Sequence, residues 1–72
     1  MPDRPGVVRV EGTVTALEAA RKFRVTFTDG REAVAFLGGP ARRHHLTVGD
    51  HVLVEFDRSD LTRGRIVGLA GT

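Results

Sequence analysis

Residues 22–37, KFRVTFTDGREAVAFL, decide the architecture. Phe23, Val25 and Phe27 alternate with Arg24, Thr26 and Thr28, the two-residue period of a strand with one buried face. Asp29-Gly30 is read as a two-residue hairpin connection, because Gly adopts positive φ freely and Asp tolerates it. Ala33 to Leu37 then returns as a strand that is apolar on both faces. Three of the chain's four phenylalanines lie in this stretch, so the core is expected to gather around it. An isolated hairpin is marginally stable in water, and the remaining segments must pack on this one.

Upstream, VVRVEGTVTAL (7–17) alternates again, with Val8, Val10, Val14 and Ala16 on one face. Gly12 interrupts that face, as a strand does where it bends, bulges or lets another chain segment pass close by. Downstream, Gly38-Gly39-Pro40-Ala41-Arg42-Arg43-His44-His45 ends the hairpin and reads as an exposed, mobile basic loop. Gly49-Asp50 marks a turn, HVLVEF (51–56) a fourth strand with Val52, Val54 and Phe56 on one side, 57–64 a polar connection, and RIVGL (65–69) a fifth strand.

Strands over 7–17, 22–28, 31–37, 51–56 and 65–69, all antiparallel in type, give an all-β domain. Closing them into a barrel removes the exposed edges of an open sheet. Of the two small five-stranded barrels, the oligonucleotide-binding (OB) fold is preferred to the SH3-like one. Its first strand is long and bent, as the mid-strand Gly12 allows, and its main loop falls between strands three and four. Val10, Val14, Phe23, Val25, Phe27, Val52, Val54 and Ile66 are expected inside. The organisation expected is a flexible lead-in (1–6), one barrel (7–69) and a short tail (70–72).

Composition sets the outer limits. Seventy-two residues suffice for one domain, and a chain this short buries only about 60% of its unfolded surface. No cysteine is present, so disulfides and thiolate metal sites cannot support it. No apolar run approaches membrane-spanning length, and the opening MPDRPG has no apolar signal core, so a cytoplasmic domain is expected. The net charge is only +2, but ten of eleven cations are arginine, whose planar guanidinium bridges phosphate oxygens and stacks on bases. Composition therefore permits a nucleic-acid partner without requiring one.

Taken in order, Gly12-Thr13-Val14, Phe23-Arg24-Val25, Asp29-Gly30, Gly49-Asp50, Val52, Val54-Glu55, Asp60-Leu61 and Gly64-Arg65-Ile66-Val67 make the chain resemble bacterial translation initiation factor one, a family of S1-like OB folds. The resemblance covers 10–67. Its departures fall on loops and tail. Gly38-Gly39-Pro40-Ala41-Arg42 stands where the family has Ser-Gly-Lys-Met-Arg, Arg58-Ser59 where it has Pro-Tyr, and an uncharged 68–72 where it has a basic tail.

The resemblance implies a non-catalytic factor that binds RNA of the small ribosomal subunit near the aminoacyl site, with other initiation factors as possible further partners. The expected state is a monomer without cofactor. Arg42 and Arg43 in the loop, Arg63 and Arg65 around the last turn, and Arg24 on the hairpin are the candidate RNA contacts. Phe23 could stack on a base beside Arg24, but it shares the face of Val25 and Phe27, and core packing is the stronger reading. Phe36 stays open, because its strand is apolar on both faces. His44-His45, with only His51 besides, is poor metal-ligand spacing. No activated nucleophile pattern or deep pocket is expected, so the chain is read as no enzyme. The alternatives are a barrel that binds another protein, its RNA surface having decayed, and a general RNA binder of the cold-shock sort. The latter is disfavoured by the lack of an aromatic-basic ladder.

Overall fold

A computed structural model describes residues 6–38 and 45–70. Five strands, β1 (Val7–Ala19), β2 (Lys22–Phe27), β3 (Glu32–Leu37), β4 (His51–Asp57) and β5 (Asp60–Leu69), form one closed barrel in the order β1-β2-β3-β5-β4. The first half of β1 pairs with β4 and its second half with β2, so this one strand serves both sides of the barrel. This is the OB arrangement. One pairing departs from the antiparallel expectation: β3 and β5 run parallel, with Val34 opposite Arg63 and Phe36 opposite Arg65. Parallel neighbours need a long crossover, here the chain from 38 through β4.

Gly12 lies where β1 passes from one partner to the other, pairing with Phe27 of β2 and Val52 of β4 at once, and the strand is irregular beyond it, between Val14 and Ala16 and between Leu17 and Ala19. A Cβ on Gly12 would overlap Val25 Cγ1 and lie 2.9 Å from Phe27 Cδ1. Gly64 does the same service on β5, where a Cβ would overlap Val54 Cγ1 and approach Phe56 Cε1 to 2.8 Å. Missing side chains at these two inward positions give the core rings and valines their space.

The hairpin connection is one residue longer than expected. Phe27 donates its backbone N–H to Arg31 O at 2.8 Å, Gly30 donates to Phe27 O at 2.9 Å, and Gly30 alone takes positive φ (90°). Thr28, Asp29 and Gly30 therefore form a three-residue loop closed by a left-handed glycine. Asp29 contributes its carboxylate instead, accepting the Arg31 N–H at 3.0 Å. The change matters because one residue of register exchanges the faces of a strand. A two-residue loop would set Phe36 opposite Phe23 in the core. The observed loop pairs Phe23 with Ala35 and Lys22 with Phe36, turning Phe36 outward.

The core comprises Val14, Phe23, Val25, Phe27, Val52, Val54 and Ile66, as expected, together with Ala33, Ala35, Leu37 and Phe56. Val10 is half-buried and packs on the core from the edge. The polar connection expected over 57–64 is largely strand. Asp57 pairs with Asp60 across a tight turn, and β5 begins there rather than at Arg65. Residues 60–63 are exposed throughout, so no buried face imprints an alternation on the sequence. Asp57 and Asp60 each bind a neighbouring hydroxyl and backbone N–H, of Ser59 and Thr62 respectively, which fixes the turn.

Candidate nucleic-acid interface

The outer faces of the strands form cross-strand rows. One row runs Lys22 (β2), Phe36 (β3), Arg65 (β5), Glu55 (β4), Arg9 (β1); the next places Arg24, Val34 and Arg63 side by side. Phe36 is 44% exposed, half of its ring in solvent between a lysine and an arginine on adjacent strands. Neighbouring strands lie about 4.8 Å apart, so a base stacked on Phe36 would bring its phosphates within reach of both cations. Phe23, by contrast, is 4% exposed and belongs to the core, so it offers no stacking surface.

Arg63 and Arg65 project from one outer edge of β5, separated by the inward-facing Gly64. The Arg65 guanidinium binds Glu55 Oε1 at 3.2 Å, and Arg9 Nε donates to Glu55 Oε2 at the same distance. Glu55 is only 8% exposed although it lies on the outer face, because the two arginine side chains flank and cover it. The pairing orients Arg65 on the strip beside Phe36 and leaves the trio of side chains with one net positive charge.

Arg24 occupies the same face in a different state. Its Nε and Nη2 lie 2.8 Å from Glu18 Oε2, and Nη1 lies 3.2 Å from Glu32 Oε1. The hydrogen bonds and charge of Glu18, then of Glu32, raise the Arg24 pKa above its ordinary value. Glu18 reaches Arg24 because β1 is irregular between Leu17 and Ala19, which redirects the intervening side chain. Arg42 and Arg43 lie outside the described residues, as does His44.

Elsewhere, Val8, Val10, Phe27, Phe56 and Leu61 line an apolar groove of about 480 Å³ at the end of the barrel that carries the β2–β3 and β4–β5 turns. The ring of Phe27 meets that of Phe56 edge-on at 5.6 Å. His51 shares a hydrogen bond with Thr13 Oγ1 at 3.1 Å. Among the described residues no group of three or more His, Asp or Glu is placed to hold a metal ion, and no helix is long and apolar enough to cross a membrane.

Lys22 is a residue that the sequence alone does not single out, and Phe36, left open there between core and surface, faces outward. Their partnership depends on the hairpin register, and hence on the length of the turn.

No family model matches the chain. Among solved structures it is similar to the solution structure of translation initiation factor one from the Wolbachia endosymbiont strain TRS of Brugia malayi. The two are 38% identical over 94% of this chain and 84% of that one, with a TM-score of 0.76. This level of identity over almost the whole chain, with the matching overall fold and the closed five-stranded barrel described above, leads to one conclusion: the chain belongs to the translation initiation factor one family.

Proposed function

We propose that this chain acts in translation initiation by docking, without catalysis, on RNA of the small ribosomal subunit near the aminoacyl site, through the outer face of β2, β3 and β5. The observation that carries the reading is Phe36, half-exposed between Lys22 and Arg65 on that face of an OB barrel. Base stacking on an aromatic ring is tolerant of sequence, and flanking cations supply the phosphate contacts. Arg63 extends the cationic strip along β5, and Arg24 lies on the same face. Arg42 and Arg43 would add their charge from the loop between β3 and β4. The working unit is the barrel over 7–69, acting as a cytoplasmic monomer alongside the other initiation factors.

The test is binding to purified small subunits across a salt series. Each neutralised phosphate contributes about −0.7 to −0.9 to the slope of log K against log salt. Four contacts from Arg42, Arg43, Arg63 and Arg65 give roughly −3 to −4, and replacing Arg42 and Arg43 with alanine lowers the magnitude of the slope by about two such contacts. Phe36→Ala removes a stacking contact of about 1–3 kcal/mol. The apolar groove of Val8, Val10, Phe27, Phe56 and Leu61 favours the second reading, a protein-binding barrel. A slope near zero that ignores the double arginine change decides for it.

A further inference from the structure

Among the arginines on this face, Arg24 is held by two acidic side chains, and that arrangement carries an inference that rests on the RNA-binding reading. We propose that Glu18 and Glu32 form a discrimination element, which withholds Arg24 from RNA at large and confines a bound backbone to the strip around Phe36 and Arg65. The geometry is specific. Glu18, turned by the irregularity in β1, takes Nε and Nη2 of Arg24, while Glu32 at the start of β3 takes Nη1, so both edges of the guanidinium are occupied. Two carboxylates against one guanidinium leave this cluster with one net negative charge.

Its position gives that charge a function. Arg24 lies beside Val34, and Glu32 opens β3 four residues, about 13 Å, before Phe36, so the acidic cluster stands at one end of the face and the Phe36–Arg65 pair at the other. That distance exceeds the Debye length at about 0.1 M salt, so a phosphate on Arg65 is only weakly repelled. A backbone crossing the strands from Arg63 towards Arg24 runs directly into the carboxylates. One held over Phe36 and Arg65 avoids them. Repulsion of the wrong approach, added to attraction of the right one, is how charged surfaces achieve selectivity. Arg9, Glu55 and Arg65 lie on the other side of this face, where the three side chains together carry the opposite net sign.

The experiment compares the wild type with Glu18→Gln/Glu32→Gln on two RNAs, a uridine oligonucleotide of about twelve nucleotides and purified small subunits. Release of Arg24 adds one phosphate contact on the oligonucleotide, which steepens the salt slope by about 0.7. Between 1 M and 50 mM salt that increment amounts to about an eightfold gain in affinity. The expected result is that gain on the oligonucleotide, a change below about twofold on small subunits, and loss of the gain when Arg24→Ala is added. Slopes and affinities unchanged on the oligonucleotide overturn the inference. A gain that survives Arg24→Ala overturns it too, since bulk charge rather than Arg24 would then be responsible. Thermal melts accompany every variant; should the double variant melt below the assay temperature, Glu32→Gln alone carries the same comparison. Failure of the parent reading is seen separately, as salt-indifferent binding of the wild type to small subunits.

Discussion

Replacing Gly12 with alanine tests how the barrel is closed. The new methyl would overlap Val25 Cγ1 and stand 2.9 and 3.0 Å from Phe27 Cδ1 and Cε1, where ordinary contacts begin near 3.4 Å. Val25 has no room to retreat, and Phe27 can retreat only at the expense of its ring contact. Val25 is fully buried, and Phe27 packs edge-on against Phe56, an aromatic contact of about 0.5–1.5 kcal/mol in its own right. Overpacking of this kind costs about 1–3 kcal/mol. The loss of glycine freedom in the unfolded chain offsets about 0.4–1 kcal/mol. A net loss of about 1.3 kcal/mol is a large part of the few kcal/mol available to a domain of this length, and corresponds to a fall in Tm of about 5–10 °C. Circular-dichroism melts measure it. Gly38→Ala is the control, because a Cβ there meets nothing within 4 Å, and it should leave Tm unchanged or slightly raised. In a Val25→Ala background the Gly12→Ala cost should shrink by at least about 0.5 kcal/mol. A Gly12→Ala protein melting within about 2 °C of the wild type, or full additivity with Val25→Ala, would refute the account.

The two phenylalanines opposite each other in chemistry should separate in experiment. Phe23→Ala should lose about 3–5 kcal/mol and unfold most of the population, while Phe36→Ala should keep its fold and lose small-subunit affinity. Glu55→Ala, which strips a buried carboxylate from half-exposed Arg9 and Arg65, should lower stability by about 1–2 kcal/mol, and Glu55→Gln by less. Asp57 is held below the usual carboxylate pKa by the backbone N–H and then the hydroxyl of Ser59, and Asp60 by the hydroxyl and then the N–H of Thr62. A lowered folded-state pKa stabilises above the unfolded pKa and loses that contribution as pH falls through the folded one. Acid melts should therefore decline below about pH 4, and Asp57→Asn with Asp60→Asn should flatten that decline.

The sequence speaks clearly where one face of a strand is buried and the other is not. Phe23, Val25 and Phe27 alternate with polar residues and all lie inside. Residues 60–63 are exposed on every side, so half of β5 reads from sequence as a polar connection. The parallel pairing of β3 with β5 joins segments distant in the chain, and no local pattern records it. Gly12 stands out in mid-strand, but its role as space for Val25 and Phe27 depends on residues of a different strand. The candidate site is half legible. Arg63 and Arg65 stand out as charges at the end of the chain, whereas Phe36 turns outward only because the loop after Phe27 has three residues instead of two. Glu55 looks like an ordinary surface carboxylate until the arginines of β1 and β5 close over it.

The way β1 joins β4 and β3 joins β5 also fixes the order in which the protein can be born. The β2–β3 hairpin closes through a three-residue loop and can form within microseconds of leaving the ribosome. The barrel cannot follow, because β1 awaits β4 for half of its length and β3 keeps an open edge until β5 exists. Pairings this distant in sequence make for slow folding and leave unpaired edges exposed to other chains meanwhile. The barrel's final strand in chain order is thus the one that seals the fold, and a chain stopped before Asp60 would be left as an open sheet rather than a smaller barrel.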